Sequence, residues 1–272
     1  MPELPEVEIT KQGIAPFMVD QSIKKIIVRN RKLRWLIPEK LESTLAGLTI
    51  KSINRRAKYI IIDCSIGWLI IHLGMSGSLK VLTSPDDSAT KHDHYDLHLS
   101  SGAVIRYRDP RKFGALLWTQ QSPASHRLIK HLGPEPLDPD FDGNVLHQKL
   151  RTKSSSIKLQ IMNNQVVTGV GNIYANESLF HAGIRPTRRA NSISRAKLHI
   201  LVTAIKETLT KAIQLGGSSL RNFYLTDGST GYFQQEYKVY GRAGEKCHIC
   251  EKPIKIITLG QRSSFYCPTC QK

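Results

Sequence analysis

Four cysteines crowd the last 26 residues as Cys247-x2-Cys250-x16-Cys267-x2-Cys270. A two-residue gap lets one tight turn present two sulfurs to the same ion, and two such knuckles supply a tetrahedral set of four thiolates. With every position filled by sulfur, no place remains for a substrate water, so the expected zinc is structural. The alternatives are an unligated set or a redox CxxC pair. Between the knuckles, "ITLGQRSSFYC" has the pattern of a β-hairpin with Arg262 near its turn. Arg262 is either a cation suited to a DNA groove or a solvated turn residue. At the other end, "MPELPEVEIT" offers two readings. Pro5 with Glu6 and Glu8 starts a helix. Alternatively, Met is commonly removed before a small residue, which leaves a secondary amine at Pro2 with the Glu3 carboxylate beside it. A third segment, "VTGVGNIYANESLF" over 167–180, has Gly169 and Gly171 for close backbone approach and Asn172 as a helix cap. The N–H groups of such a helix start suit a phosphate. Lys153 and Lys158 upstream are candidate phosphate contacts.

The charge agrees with a polyanionic partner. Lys and Arg number 39 against 22 Asp and Glu, for a net charge of +17 in 272 residues. Residues 1–140 carry 20 basic and 15 acidic side chains, and 141–272 carry 19 and 7, so the excess lies mainly in the second half. This points to nucleic acid. The basic residues are scattered through both halves, which argues against a membrane-surface helix. The apolar runs are strand-length, and the N-terminus has no basic region followed by an apolar core, so the expectation is a soluble, cytoplasmic protein. Cys64 stands alone in a strand-like run as a small buried residue.

The elements that must position these groups change in texture along the chain. A helix is expected over about 5–16. Residues 20–120 read as strands, through "IKKIIVRNRKLRWLI", "LTIKSINRRAKYIIIDC", "GWLIIHLGMSGSLKVL" and "YDLHLSSGAVIRYRD". "HLGPEPLDPDFDG" is a linker by composition. Beyond it, Leu198, Leu201, Val202, Ile205 and Leu209 have helical spacing, stopped by Gly216 and Gly217.

Taken together, "PELPEVE", "RRAKYI", "HLGMSGSL", "KHDHYDLHL", "YRDPRKFGA", "HLGPEPL", "VGNIYANESLF" and the terminal cysteines resemble formamidopyrimidine-DNA glycosylases over essentially the whole chain. The related endonuclease VIII type usually begins Pro-Glu-Gly-Pro-Glu, and "ELPEVE" departs from that. The resemblance implies an α+β multidomain fold. A helix and β-sandwich would occupy 1–130, a helix–two-turn–helix domain 131–235 and a zinc finger 236–272, with double-stranded DNA in a basic cleft. It implies a bacterial base-excision repair enzyme for 8-oxoguanine opposite cytosine and formamidopyrimidines, with one structural Zn2+; chain length and a single basic cleft suggest a monomer, and the short apolar runs and scattered charge suggest no membrane partner.

By the same resemblance, Pro2 is the nucleophile that forms an iminium at C1′, and β,δ-elimination follows. Glu3 moves protons, Glu6 buttresses the N-terminus, Lys58 contacts phosphate beside the lesion and assists catalysis, and Arg262 grips phosphates and is linked to the δ-elimination, so that Pro2, Glu3, Lys58 and Arg262 make up the expected catalytic set. Met75, Arg111 and Phe113 form the wedge that replaces the everted base. His92, Lys153, Lys158 and Asn172 contact DNA. A loop at about 217–228 closes over the damaged base. Asn163 and Gln160 depart from the family pattern and are expected to affect packing only. The remaining alternatives are an endonuclease VIII-type enzyme for oxidised pyrimidines and a non-catalytic zinc-finger DNA-binding protein.

Overall fold

The computed structural model describes residues 2–82, 88–218 and 232–272. They fall into two units: Met1–Lys130 with Gly216–Tyr232, and His131–Leu215 with Phe233–Lys272.

The first unit begins with helix α1, Leu4–Met18. Glu3 is its N-cap and Glu6 its third residue, the reciprocal arrangement of a capping box, so the acidic pair sets the start of the helix. Leu4, Val7, Ile14 and Met18 fall on one buried face. Next come β1 (Ile23–Val28), a short helix α2 (Leu41–Leu45), β2 (Ser52–Arg56), β3 (Tyr59–Asp63) and β4 (Trp68–His72). The run closes with β5 (Ser78–Leu82), β6 (Asp93–Leu99), β7 (Val104–Arg108) and β8 (Ala115–Thr119). Two antiparallel four-stranded sheets result, in the orders β1-β6-β7-β5 and β2-β3-β4-β8. Their alternating apolar side chains, among them Ile26, Ile60, Ile62, Leu69, Leu79, Leu97 and Ile105, form one sandwich core with the α1 face.

The expected strand "IKKIIVRNRKLRWLI" ends early, at Val28. Beyond it the chain folds back, with Ile37 N and Leu33 N donating to Arg31 O and the Arg31 side chain bonding Pro38 O and Glu42. Local bonds of this kind compete with the sheet ladder and win where the apolar alternation stops. Cys64 is buried as expected, and burial, then Asp63, pushes its thiol up to about 12, so it is inert.

Asp96 on β6 is nearly fully buried between two guanidiniums, Arg106 at 2.8 Å and Arg29 at 2.5 Å. Burial raises its carboxyl, but the bonds to Arg106 and Arg29 outweigh that, and its pKa is lowered. A depressed carboxylate stabilises the fold above its unfolded pKa and loses that contribution as pH falls through the folded value. Asp96→Asn is therefore expected to cost about 3 kcal/mol at neutral pH by stranding the buried Arg106 and removing the partner of the more exposed Arg29, read as a lower thermal midpoint. The gap to the native chain should narrow on acidification.

The second unit contains α3 (Gly143–Leu150), α4 (Ile157–Ile161), α5 (Asn172–His181), α6 (Arg195–Gln214) and the hairpin β9 (Lys255–Leu259) and β10 (Arg262–Tyr266). α6 buries Leu198, Leu201, Val202, Ile205 and Leu209 at the expected spacing, with Ser194 accepting from Lys197 N as cap. It ends where Gly216 and Gly217 take φ of 76° and 77°. α5 is the organising helix. Its buried Glu177 accepts N–H bonds from Lys238, Val239 and Tyr240, and its Asn176 accepts from Phe265 N on β10. Among the described residues, no helix is long and apolar enough to cross a membrane.

Candidate active site and nucleic-acid contacts

In the first unit, Pro2, Glu3 and Glu6 are all buried. The Glu6 carboxylate accepts from Glu3 N at 2.8 Å with one oxygen and from Ser218 N at 2.9 Å with the other. Glu6 thus fixes the peptide carrying the Pro2 junction and, on its far side, Ser218, which bridges to Tyr232. Of the expected loop at 217–228, Gly217 and Ser218 are described and 219–228 lie outside the described residues.

Lys58 occupies the two-residue turn between β2 and β3, beside Ala57 in the left-handed region at φ 54°. Its side chain is 9 % exposed. Cross-strand pairing sets Tyr59 opposite His72, with their rings 4.9 Å apart. Burial, then Lys58 and Arg34, lowers the His72 pKa to about 4, so the ring is neutral at pH 7. Its Nδ1 accepts from Gly74 N, which leaves Nε2 as the protonated nitrogen. Tyr59 and His72 have no role in the sequence reading. Their signal is present in it, since Tyr59 follows Lys58 and His72 opens "HLGMSG", but the pairing needs the register of β3 on β4.

Met75 is half-buried, whereas Arg111 and Phe113 are exposed, with the guanidinium 5.0 Å from the Phe113 ring centre. Phe113 is 43 % exposed, so it is not a core residue. His92 is partly exposed, and its carbonyl accepts from Asp109 N.

In the second unit, Lys153 and Arg262 are exposed. Arg262 opens β10 directly after the turn Gly260–Gln261, where both residues have positive φ, 52° and 61°. A Cβ at Gly260 would lie 2.6 Å from Leu159 Cδ2, so glycine serves both the turn and the packing.

Two expectations need correction. Asn172 does not cap α5, because Gly171 is the N-cap and Asn172 is already helical. Its Nδ2 instead donates to Ser263 O at 3.1 Å. Lys158 is not a surface cation: it is fully buried, with Nζ on Ser263 O at 2.8 Å and Ser264 Oγ at 2.7 Å. Both side chains are turned onto β10, where the Ser263 carbonyl accepts from each of them. They orient the strand that carries Arg262. Lys158→Met is expected to cost about 2 kcal/mol and lower the thermal midpoint. Lys153→Met should leave the midpoint unchanged and reduce the salt slope of DNA binding by about one. The departures Gln160 and Asn163 make local bonds, to Ser155 Oγ and from Gln165 N.

The four C-terminal sulfurs lie within 4.8 Å of one another. Cys247 and Cys270 sulfurs are 3.9 Å apart, and those of Cys250 and Cys267 are 3.4 Å apart. A tetrahedron with Zn–S near 2.3 Å has edges of about 3.8 Å, so the set fits one zinc ion. Ile249 N and Cys270 N point at Cys247 and Cys267 sulfurs, supporting thiolate charge. The backbone N–H of Lys252 is the first of several groups that lower the Cys250 thiol to about 7. Cys247, Cys250, Cys267 and Cys270 would hold the ion and leave no coordination site open, which gives it a structural role.

Family models match the chain in the same order as these features. They are the formamidopyrimidine-DNA glycosylase N-terminal domain over 1–116, its H2TH domain over 132–224, and the zinc finger found in FPG and IleRS over 244–272. The chain belongs to the formamidopyrimidine-DNA glycosylase family. Formamidopyrimidine-DNA glycosylases of Methylobacillus flagellatus and Pseudomonas fluorescens are 51% and 53% identical to it, over all of this chain and 97% and 100% of theirs. Among solved structures, wild-type Lactococcus lactis Fpg with N7-benzyl-Fapy-dG DNA superposes with a TM-score of 0.92 at 37% identity, covering both chains fully. The Thermus thermophilus MutM (Fpg) protein gives 0.88 at 32% identity, covering 99% of this chain and 98% of its own. Enzymes of this family are DNA glycosylases that also act as AP lyases, and the chain is one of them. That excludes the non-catalytic reading of its finger.

Proposed function

We propose that the enzyme excises oxidised purines, 8-oxoguanine opposite cytosine and formamidopyrimidines, from double-stranded DNA and then cuts the strand at the resulting site. The observation that carries this is the bond from Glu3 N to the buried Glu6 carboxylate, which holds the Pro2 junction at the root of a helix anchored in the sandwich core.

With Met1 removed, the Pro2 nitrogen is a secondary amine, and α-amines titrate at about 7.7–8.0, so a useful fraction is neutral. Its lone pair forms a bond to C1′ of the damaged nucleotide as the C1′–N bond to the base breaks. Glu3 protonates the ring oxygen and opens the sugar. The product is an iminium, permanently cationic because the amine was secondary. That cation withdraws electrons and acidifies the C2′ proton, whose loss expels the 3′ phosphate. A second elimination expels the 5′ phosphate, leaving a one-nucleoside gap.

Lys58 neutralises phosphate at the lesion, and Arg262 does so from the finger. His92, Lys153 and Asn172 add backbone contacts that position the duplex. Met75 and Arg111 fill the space of the everted base, Phe113 pushes into the stack on the opposite strand, and Arg111 reads the orphaned cytosine. Residues 1–130 are assigned as the catalytic β-sandwich domain, 131–235 as the helix–two-turn–helix DNA-binding domain and 236–272 as the zinc finger. The net charge of +17 supports binding to the DNA of the nucleoid, and the enzyme is read as a monomer of the bacterial cytoplasm.

Borohydride reduces an iminium to a stable amine. Incubated with an 8-oxoguanine·cytosine duplex and borohydride, the enzyme should yield a protein–DNA adduct mapping by mass to Pro2. No adduct with this duplex but one with thymine glycol would replace the assignment by oxidised pyrimidines.

A further inference from the structure

Asp109, between β7 and β8, is fully buried and lies outside every role described above. Its carboxylate is a junction. One oxygen accepts from Ser76 Oγ at 2.6 Å and Arg111 N at 3.2 Å, the other from Gly114 N at 2.9 Å and Tyr107 Oη at 3.1 Å. Its carbonyl takes His94 Nε2 at 2.7 Å and Lys112 N at 3.2 Å, and its N–H donates to His92 O.

These partners are the neighbours of the wedge. Ser76 follows Met75, the Arg111 amide belongs to the wedge itself, and Gly114 follows Phe113. The two loops abut so closely that a Cβ on Gly74, itself at φ 70°, would lie 2.5 Å from the Phe113 carbonyl carbon. A Cβ on Gly114 would lie 1.7 Å from Tyr107 Oη. Between Arg111 and Phe113, Lys112 sits in the left-handed region at φ 56°. A non-glycine residue persists there when surrounding bonds over-determine the backbone, and Asp109 supplies bonds on both sides of it.

We propose that Asp109 is the positioning residue of the wedge: by holding Ser76, Arg111 and Gly114 at once, it fixes Met75, Arg111 and Phe113 as one preformed insertion surface before DNA arrives. This rests on the wedge assignment under the proposed function. A preformed surface spends no binding free energy on ordering two loops while it opens the base stack. The phosphate contact His92 is tied to the same junction through its carbonyl.

The test uses a duplex with a tetrahydrofuran abasic-site analogue and 2-aminopurine beside it, whose fluorescence reports wedge insertion with no excision needed. Asp109→Asn keeps the volume and turns one acceptor into a donor facing other donors. It should slow insertion, and weaken binding to this duplex, by about tenfold or more. In a Phe113→Ala background the same substitution should change binding by less than about threefold, because the side chain it positions is gone. A general loss of fold would instead act equally in both backgrounds. Ser76→Ala removes a single donor with less risk to the fold and should slow insertion about threefold. A native insertion rate in Asp109→Asn or Ser76→Ala, or equal effects with and without Phe113, would overturn the proposal. A native enzyme that inserts its wedge yet excises no oxidised purine would strike the functional reading and leave this one standing.

Discussion

Pro2→Gln is expected to leave no borohydride-trappable adduct and to lower strand cleavage at a preformed abasic site by about 10⁴-fold or more, the scale of losing a covalent nucleophile. Two changes act together: the secondary amine disappears, and Met1 stays attached because glutamine is too large for its removal. The substitution sits outside the bonds that hold the helix start. Glu3 N still reaches Glu6 at 2.8 Å, and Leu4, Val7 and Ile14 still root α1 in the core. Affinity for abasic-site DNA should therefore stay within about threefold, since phosphate contacts dominate it. Cleavage retained at a tenth of the native rate would show that another amine does the chemistry, with Lys58 the first to examine.

Removing the zinc, by chelation or by Cys267→Ser, should lower DNA affinity by about 10² and release the order of residues 244–272. The reason is the size of what remains. The finger's own core is Val239, Cys247, Ile254, Phe265 and Cys267, packed on Phe180 of α5. An isolated two-stranded hairpin is marginal in water, whereas structural zinc contributes about 10–16 kcal/mol in such small units. Without the ion, the turn at Gly260–Gln261 no longer presents Arg262. The checks are one zinc per chain by metal analysis, and DNA affinity before and after chelation. Unchanged affinity in zinc-free protein would remove the finger from the DNA grip.

The candidate chemistry-bearing residues could be named from the sequence because their signals are local in it. CxxC spacing is a property of one turn, a Pro–Glu start is a property of one helix terminus, and the α6 periodicity is a property of one amphipathic surface. The glycine pair after α6 marked its end for the same reason. Asn172 and Lys158 show where such reasoning stops. An asparagine after glycine at a helix start has the composition of a cap, and a lysine on the preceding helix that of a phosphate contact. Each went instead to the carbonyl of Ser263, 91 and 105 residues away in the chain.

Asp109 and His72 stand in the same relation to their motifs. The sequence places both within recognisable segments and gives neither a task. His72 acquires one from the register that sets it against Tyr59, and Asp109 from two loops that meet around its carboxylate. The sequence by itself determined which groups could react, which ion four thiolates would hold, and that the partner is a polyanion, because those follow from residue type, short-range spacing and summed charge. Only the tertiary structure decided which polar side chains face inward. A buried donor or acceptor must find a partner wherever the chain brings one, and that partner is set by contacts between segments distant in sequence.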